Sequence, residues 1–172
     1  MSLSDLANLV EIVGIFAILF GIIIGVLQIR QNRIQRRDLA ILECAHLFED
    51  EQFTEAFRLL SELPNGMTQA KFSELDEKYE SAAIRAAMKF ETIGILVHRG
   101  VVPLSAMEEL VSGAALAIWR ILKPWIEELR VKRSYPTYWE WYQWLVERLE
   151  ERQSKERAPA FTAYADWKEP KV

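Results

Sequence analysis

One cysteine and two histidines in 172 residues leave little for metal or thiol chemistry. A single cysteine excludes a disulfide framework and a cysteine-based zinc site. Basic residues are not in excess: 21 Lys and Arg stand against 25 Asp and Glu, a net charge of −4. That excludes the basic footprint of a dedicated nucleic-acid binder. Seven Gly and six Pro are too few for a collagen-like or low-complexity chain. After residue 30 no stretch alternates with period two for long enough to build a sheet. What is present is hydrophobic: 51% of the residues are apolar and 27% charged, which excludes a disordered chain. The length suits one ordinary domain. A mean hydropathy of −0.02 hides a very uneven distribution.

The unevenness lies at the start. Ile12 to Leu27 carry no polar side chain, and the apolar stretch extends back to Leu6, interrupted by Asn8 and Glu11. A helix needs ~20 apolar residues to cross a ~30 Å hydrocarbon core, so this segment is expected to span a bilayer. A cleaved signal peptide would carry a basic start and a small-residue cleavage site. Here Asp5 and Glu11 precede the span, and no Lys or Arg does. Arg30, Arg33, Arg36 and Arg37 follow it. The positive-inside rule then places the N-terminus outside and the body in the cytoplasm, anchored in the inner membrane. The same arginines are expected to meet anionic lipid headgroups. Gly14, Ala17, Gly21 and Gly25 share one helix face and include a G-x-x-x-G pattern, the small-residue seam at which membrane helices approach closely.

The remainder reads as helices. Between Gly25 and Pro64 there is neither Gly nor Pro, so the first helix is expected to continue past the span, with a break near Asp50. Phe53, Ala56, Phe57, Leu60 and Leu63 form an apolar stripe, and Pro64-Asn65-Gly66 signals a turn. Phe72, Leu75, Tyr79, Ala82, Ala86, Phe90, Ile93 and Val97 predict one long helix over about 70–99, with Gly100 at its C-terminal end. Ser105 with Glu108 and Thr137 with Glu140 read as capping boxes opening two further helices. Pro124 is expected to kink or interrupt the first of these, because it lacks an N–H. The fold class is therefore all-α: a single N-terminal transmembrane helix continuing into a cytoplasmic antiparallel bundle. The boundaries are residues 1–29 for the tail and span, 30–157 for the bundle and 158–172 for an irregular aromatic tail.

The chain resembles the bacterial single-pass membrane proteins of domain-of-unknown-function family 4760. The resemblance lies in the span with its arginine-rich exit and in Phe90-Glu91-x-x-Gly94 followed by Val97 and Gly100. It continues in Trp119-x4-Pro124-x5-Arg130 and in the aromatic helix from about Tyr138. It implies a membrane-anchored helical domain and carries no known activity.

The usual catalytic constellations are missing. Cys44 sits beside Glu43, and acidic neighbours raise a thiol pKa. Glu43-x-x-His46 has the spacing of a di-iron bundle ligand pair, but it is the one such pair: Glu91 and His98 lie seven apart, too far for the same geometry, and with two His in the chain a two-pair site is not expected. Glu91 shares a face with Ala83, Ala87, Gly94 and His98 and is expected to serve as a buried polar tie to Arg130, Arg120 or a Trp N–H. Residues 38–82 hold eleven acids and three bases, which reads as a solvated face or a surface for a basic partner. The last forty residues crowd aromatics. Tyr138, Trp141, Tyr142, Leu145 and Leu149 would face the bundle, whereas Trp139, Trp144, Phe161, Tyr164 and Trp167 are candidates for contact with a partner, the tail or lipid.

The function these features favour is non-enzymatic: a membrane-anchored interaction or scaffold module. Its partners would be the bilayer and either a second copy or another membrane protein. No cofactor, metal or nucleic acid is implied. The alternative is a metal- or small-ligand-dependent activity in the bundle core.

Overall fold

A computed structural model describes residues 3–153 and 158–168; within the first helix, the side chains of residues 3–13, 15, 17 and 33 lie outside what is described. All regular structure among the described residues is helical. The chain divides into two compact units, Met1–Leu42 and Glu43–Val172.

The first unit belongs to helix α1, Leu3–His46. Its apolar side chains are solvent-exposed: Phe16, Ile18, Phe20, Ile22, Ile23, Val26 and Leu27 are each more than half exposed. Among the described residues no helix is long and apolar enough to cross a membrane. The sequence run Ile12–Leu27 includes Ile12, Val13, Ile15 and Ala17, whose side chains fall outside the described ones.

The second unit is a helical bundle. Helix α2, Glu51–Ser61, opens where the sequence places a break: the Asp50 carboxylate accepts from the Gln52 N–H at 3.1 Å. Lys89 reaches the same carboxylate at 3.0 Å and also donates to the Leu47 carbonyl, tying the α1–α2 connection to the helix that carries Lys89. These bonds hold the Asp50 carboxyl below its ordinary range.

The helix expected over 70–99 is two helices, α3 at Gln69–Ser73 and α4 at Glu77–His98. The break comes from local capping that the apolar stripe does not register. Asp76 takes an extended backbone and accepts from the Lys78 N–H at 3.0 Å, so the chain restarts a helix there. At the far end Gly100, at φ 69°, closes a Schellman motif: Gly100 N–H bonds Val97 O and Val101 N–H bonds Leu96 O, both at 3.0 Å.

Helix α5, Leu104–Lys132, starts on Pro103 with no side-chain cap. The expected Ser105–Glu108 box does not form: the helix starts one residue before Ser105, which therefore lies inside it, and Glu108 turns inward. It is 9% exposed and accepts from Arg152 Nε at 2.6 Å. Pro124 lies inside α5 without ending it. The carbonyl it leaves unbonded, that of Arg120, accepts from Gly66 N–H at 3.0 Å, and Ile121 O accepts from Met67 N–H at 2.8 Å. The Gly66 N–H thus stands in for the donor the proline lacks, the Met67 N–H adds a second bond one residue on, and Gly66 at φ 77° gives the backbone its direction.

Helix α6, Glu140–Gln153, begins two residues later than the Thr137 box implies. It packs on α4 and α5, α2 packs on α4, and α3 lies against both α4 and α5. A single turn, α7 at Ala160–Ala163, follows in the tail.

Candidate functional site

The densest polar and aromatic chemistry gathers at the start of α6. The first N–H groups of a helix lack intrahelical partners and carry the positive end of its dipole. Glu91, on α4, meets them: its carboxylate accepts from the Tyr142 N–H at 2.7 Å and also bonds the Trp141 N–H. Three residues on, Gly94 is fully enclosed. A Cβ built there would overlap the Trp141 carbonyl. Glu91 and Gly94 are therefore one device, an anchor and a gap through which α6 settles onto α4. Burial raises the Glu91 pKa, opposed by the two backbone bonds.

Arg130, on α5, holds the same entry from the other side. Its Nε donates to Tyr138 O at 2.8 Å, Nη2 to Trp139 O at 3.2 Å and Nη1 to Gln143 Oε1 at 2.6 Å. The backbone it grips is strained at Trp139, with φ 54°, as is the preceding loop at Ser134, with φ 49°, a region costly for side chains with a Cβ. The left-handed turn at Trp139 drives its indole inward, stacked on Trp125 at 5.3 Å.

Tyr142 then plugs the core. Its ring stacks on Phe90 at 4.9 Å and meets Trp119 edge-on at 5.0 Å. Its hydroxyl donates to Ala115 O at 2.8 Å, and burial pushes the phenol well above its ordinary pKa, so it stays neutral. Trp141 and Trp144 remain half-buried beside His98, with ring centroids 4.3 and 5.5 Å from the imidazole.

Of the motif residues, Phe90, Glu91, Gly94, Trp119, Arg130 and the aromatic stretch from Tyr138 meet at this entry, Pro124 makes the splice, and Val97 and Gly100 close α4. A family model for a domain of unknown function, DUF4760, matches residues 9–149. The chain belongs to the DUF4760 family. No curated protein and no solved structure matches it. In this DUF4760 protein Glu91, Gly94 and Arg130, which carry part of the resemblance, thus build the seat of α6.

The sequence-derived candidates scatter. Trp139 is 6% exposed and belongs to the core; it precedes α6, so helical spacing does not locate it. Trp144 lines an open cleft of about 380 Å³ with Trp141, Glu140 and Glu147. Phe161, Tyr164 and Trp167 are 82%, 54% and 64% exposed, while Ala158 to Ala160 line a second cleft with Glu108 and Ser112. Around Gly14, Gly21 and Gly25 an added Cβ would meet no atom within 4 Å; the Ala17 side chain lies outside the described residues. Arg30, Arg36 and Arg37 are exposed, and the Arg33 side chain is not among those described.

The metal candidates do not assemble. His46 Nδ1 pairs with Glu49 at 2.9 Å, a bond that raises its pKa, and His98 is sandwiched with tryptophans. Among the described residues no three His, Cys, Asp or Glu side chains converge. Cys44 is buried and its thiol pKa is raised, first by burial and then by Glu43.

Two features escaped the sequence reading. The Glu108–Arg152 pair links residues 44 apart, and the loop donors of the Pro124 splice are backbone atoms. The small-residue face of Ala83, Ala87 and Gly94 pointed to close packing of another helix, and at Gly94 that helix is α6.

Proposed function

We propose that this DUF4760 protein is a single-pass module of the inner membrane, N-terminus outside, whose antiparallel cytoplasmic bundle binds another membrane protein or a second copy. The observation that carries the reading is α1. Its described side chains from Ile18 to Leu27 are apolar, and the large ones are exposed on every side of the axis. Such a surface is matched by lipid rather than by water. The arginines past Leu27 set the orientation. Open space around Gly14, Gly21 and Gly25 supports a seam for a second helix. The exposed rings of Phe161 and Trp167 support a contact surface in the tail.

The test has two arms. In a Cys44→Ala background, Lys168→Cys should resist an impermeant thiol reagent in intact cells and react after lysis; labelling from outside sinks the topology. For the seam, Gly21→Leu with Gly25→Leu should reduce cross-linked dimers or a co-purified membrane partner, while Ile22→Leu should not. Unchanged association in the double variant removes the seam.

A further inference from the structure

The cleft beside the α6 entry has the makings of a ligand site distinct from any helix seam. Trp141 and Trp144 meet at a ring angle of 69° with centroids 6.2 Å apart, and both line the cleft. His98 packs against both rings. Aromatic faces are negative, and a cation within ~6 Å of a ring centroid is attracted to it, most strongly by tryptophan. Along the same face of α6, Glu140 and Glu147 bracket Trp144 at spacings of four and three residues, which puts all three on the cleft. Gln143 steadies one carboxylate by donating from Nε2 to Glu147 Oε1 at 2.9 Å. The cleft's one basic residue, Arg130, has Nε and both Nη atoms engaged by Tyr138 O, Trp139 O and Gln143. Two carboxylates against one tied guanidinium leave the cleft net negative. Its volume, about 380 Å³, falls within the ~300–1,000 Å³ range of small-molecule sites.

We propose that this cleft binds a small quaternary ammonium ion, seated against Trp141 and Trp144 with Glu140 and Glu147 as counter-charges. The quaternary class follows from the walls. Two indoles offer charge attraction together with broad apolar contact, which a methyl shell can fill and a bare ammonium cannot, while Glu140 and Glu147 supply the counter-charge. The inference is independent of membrane anchoring.

The test uses the full chain in a maltoside detergent, free of choline headgroups. Tetramethylammonium chloride is titrated by calorimetry against sodium chloride and ammonium chloride of equal ionic strength. A saturable response to tetramethylammonium, weaker for ammonium and absent for sodium, is expected. Trp144→Leu should weaken it by at least about fivefold, and Glu147→Lys, at an exposed position, by a similar factor. Trp167→Phe, away from the cleft, should leave it unchanged. No saturable response, equal binding of ammonium, or unaltered affinity in Glu147→Lys overturns the proposal. The exposed Glu147 variant decides the matter even if Trp144→Leu lowers the melting temperature.

Discussion

Glu91 and Gly94 act at the scale of single atoms. Gly94→Ala puts a methyl group into the Trp141 carbonyl, a backbone atom that can yield only if α6 moves. It should destabilise the bundle by about 1–3 kcal/mol, read as a lower urea midpoint, whereas Gly113→Ala, with open space around it, should not destabilise. Glu91→Ala strands two helix N–H groups and should cost about 1–3 kcal/mol. Glu91→Gln keeps an acceptor and separates charge from hydrogen bonding. Burial lifts the folded-state pKa of Glu91 above its ordinary value of 4.5. The folded state therefore holds the proton more tightly than the unfolded chain does. Stability from this group is full below 4.5 and is lost as pH rises through the raised value. Relative to the parent, Glu91→Gln should be flatter across that window in urea titrations at stepped pH. An identical pH slope in both proteins would assign the loss to other groups.

At the scale of elements, α5 and the 64–67 turn are a single hydrogen-bonded unit. A proline in the middle of a helix removes one donor and costs ~3 kcal/mol when nothing replaces it. Here Gly66 replaces it, and Met67 adds a second bond. Their amides lie in a loop, yet hydrogen exchange should find them protected to the level of α5. Gly66→Val, forced into the left-handed region at φ 77°, should lose that protection and about 1–2 kcal/mol. Exchange at the rate of an open loop in the parent protein would contradict the splice. The same comparison shows what was legible beforehand. Apolar periodicity located the stripe of α4, because burial repeats along a helix with the helical period. It ran through Glu74 to Asp76 without a break, since a cap depends on one side chain and one backbone angle. It also read Ser105 and Glu108 as a box, because a local motif does not know that Arg152, 44 residues on, competes for the carboxylate. Glu91 was legible as a tie. Its partners were not, because they are backbone N–H groups identical in every residue.

At the scale of the molecule, the two units differ in what they need from their surroundings. The Glu43–Val172 unit buries its own core, including Phe90, Trp125, Tyr142 and Leu145 at 0% exposure. Expressed without residues 1–42 it should stay in the supernatant and melt cooperatively, while the full chain should sediment with membranes and resist carbonate extraction. Sedimentation of the shorter chain would move the anchoring surface to the bundle or its tail. One residue also turns the folded unit into an instrument. Cys44 is the chain's sole thiol and is 2% exposed. A disulfide reagent can reach it only during an opening event, and its raised pKa keeps it protonated until then. Its modification rate, divided by the rate in the unfolded chain, is thus an opening equilibrium constant obtained without any added label. Read with and without a candidate partner in native membranes, that clock reports binding through the time the thiol stays hidden.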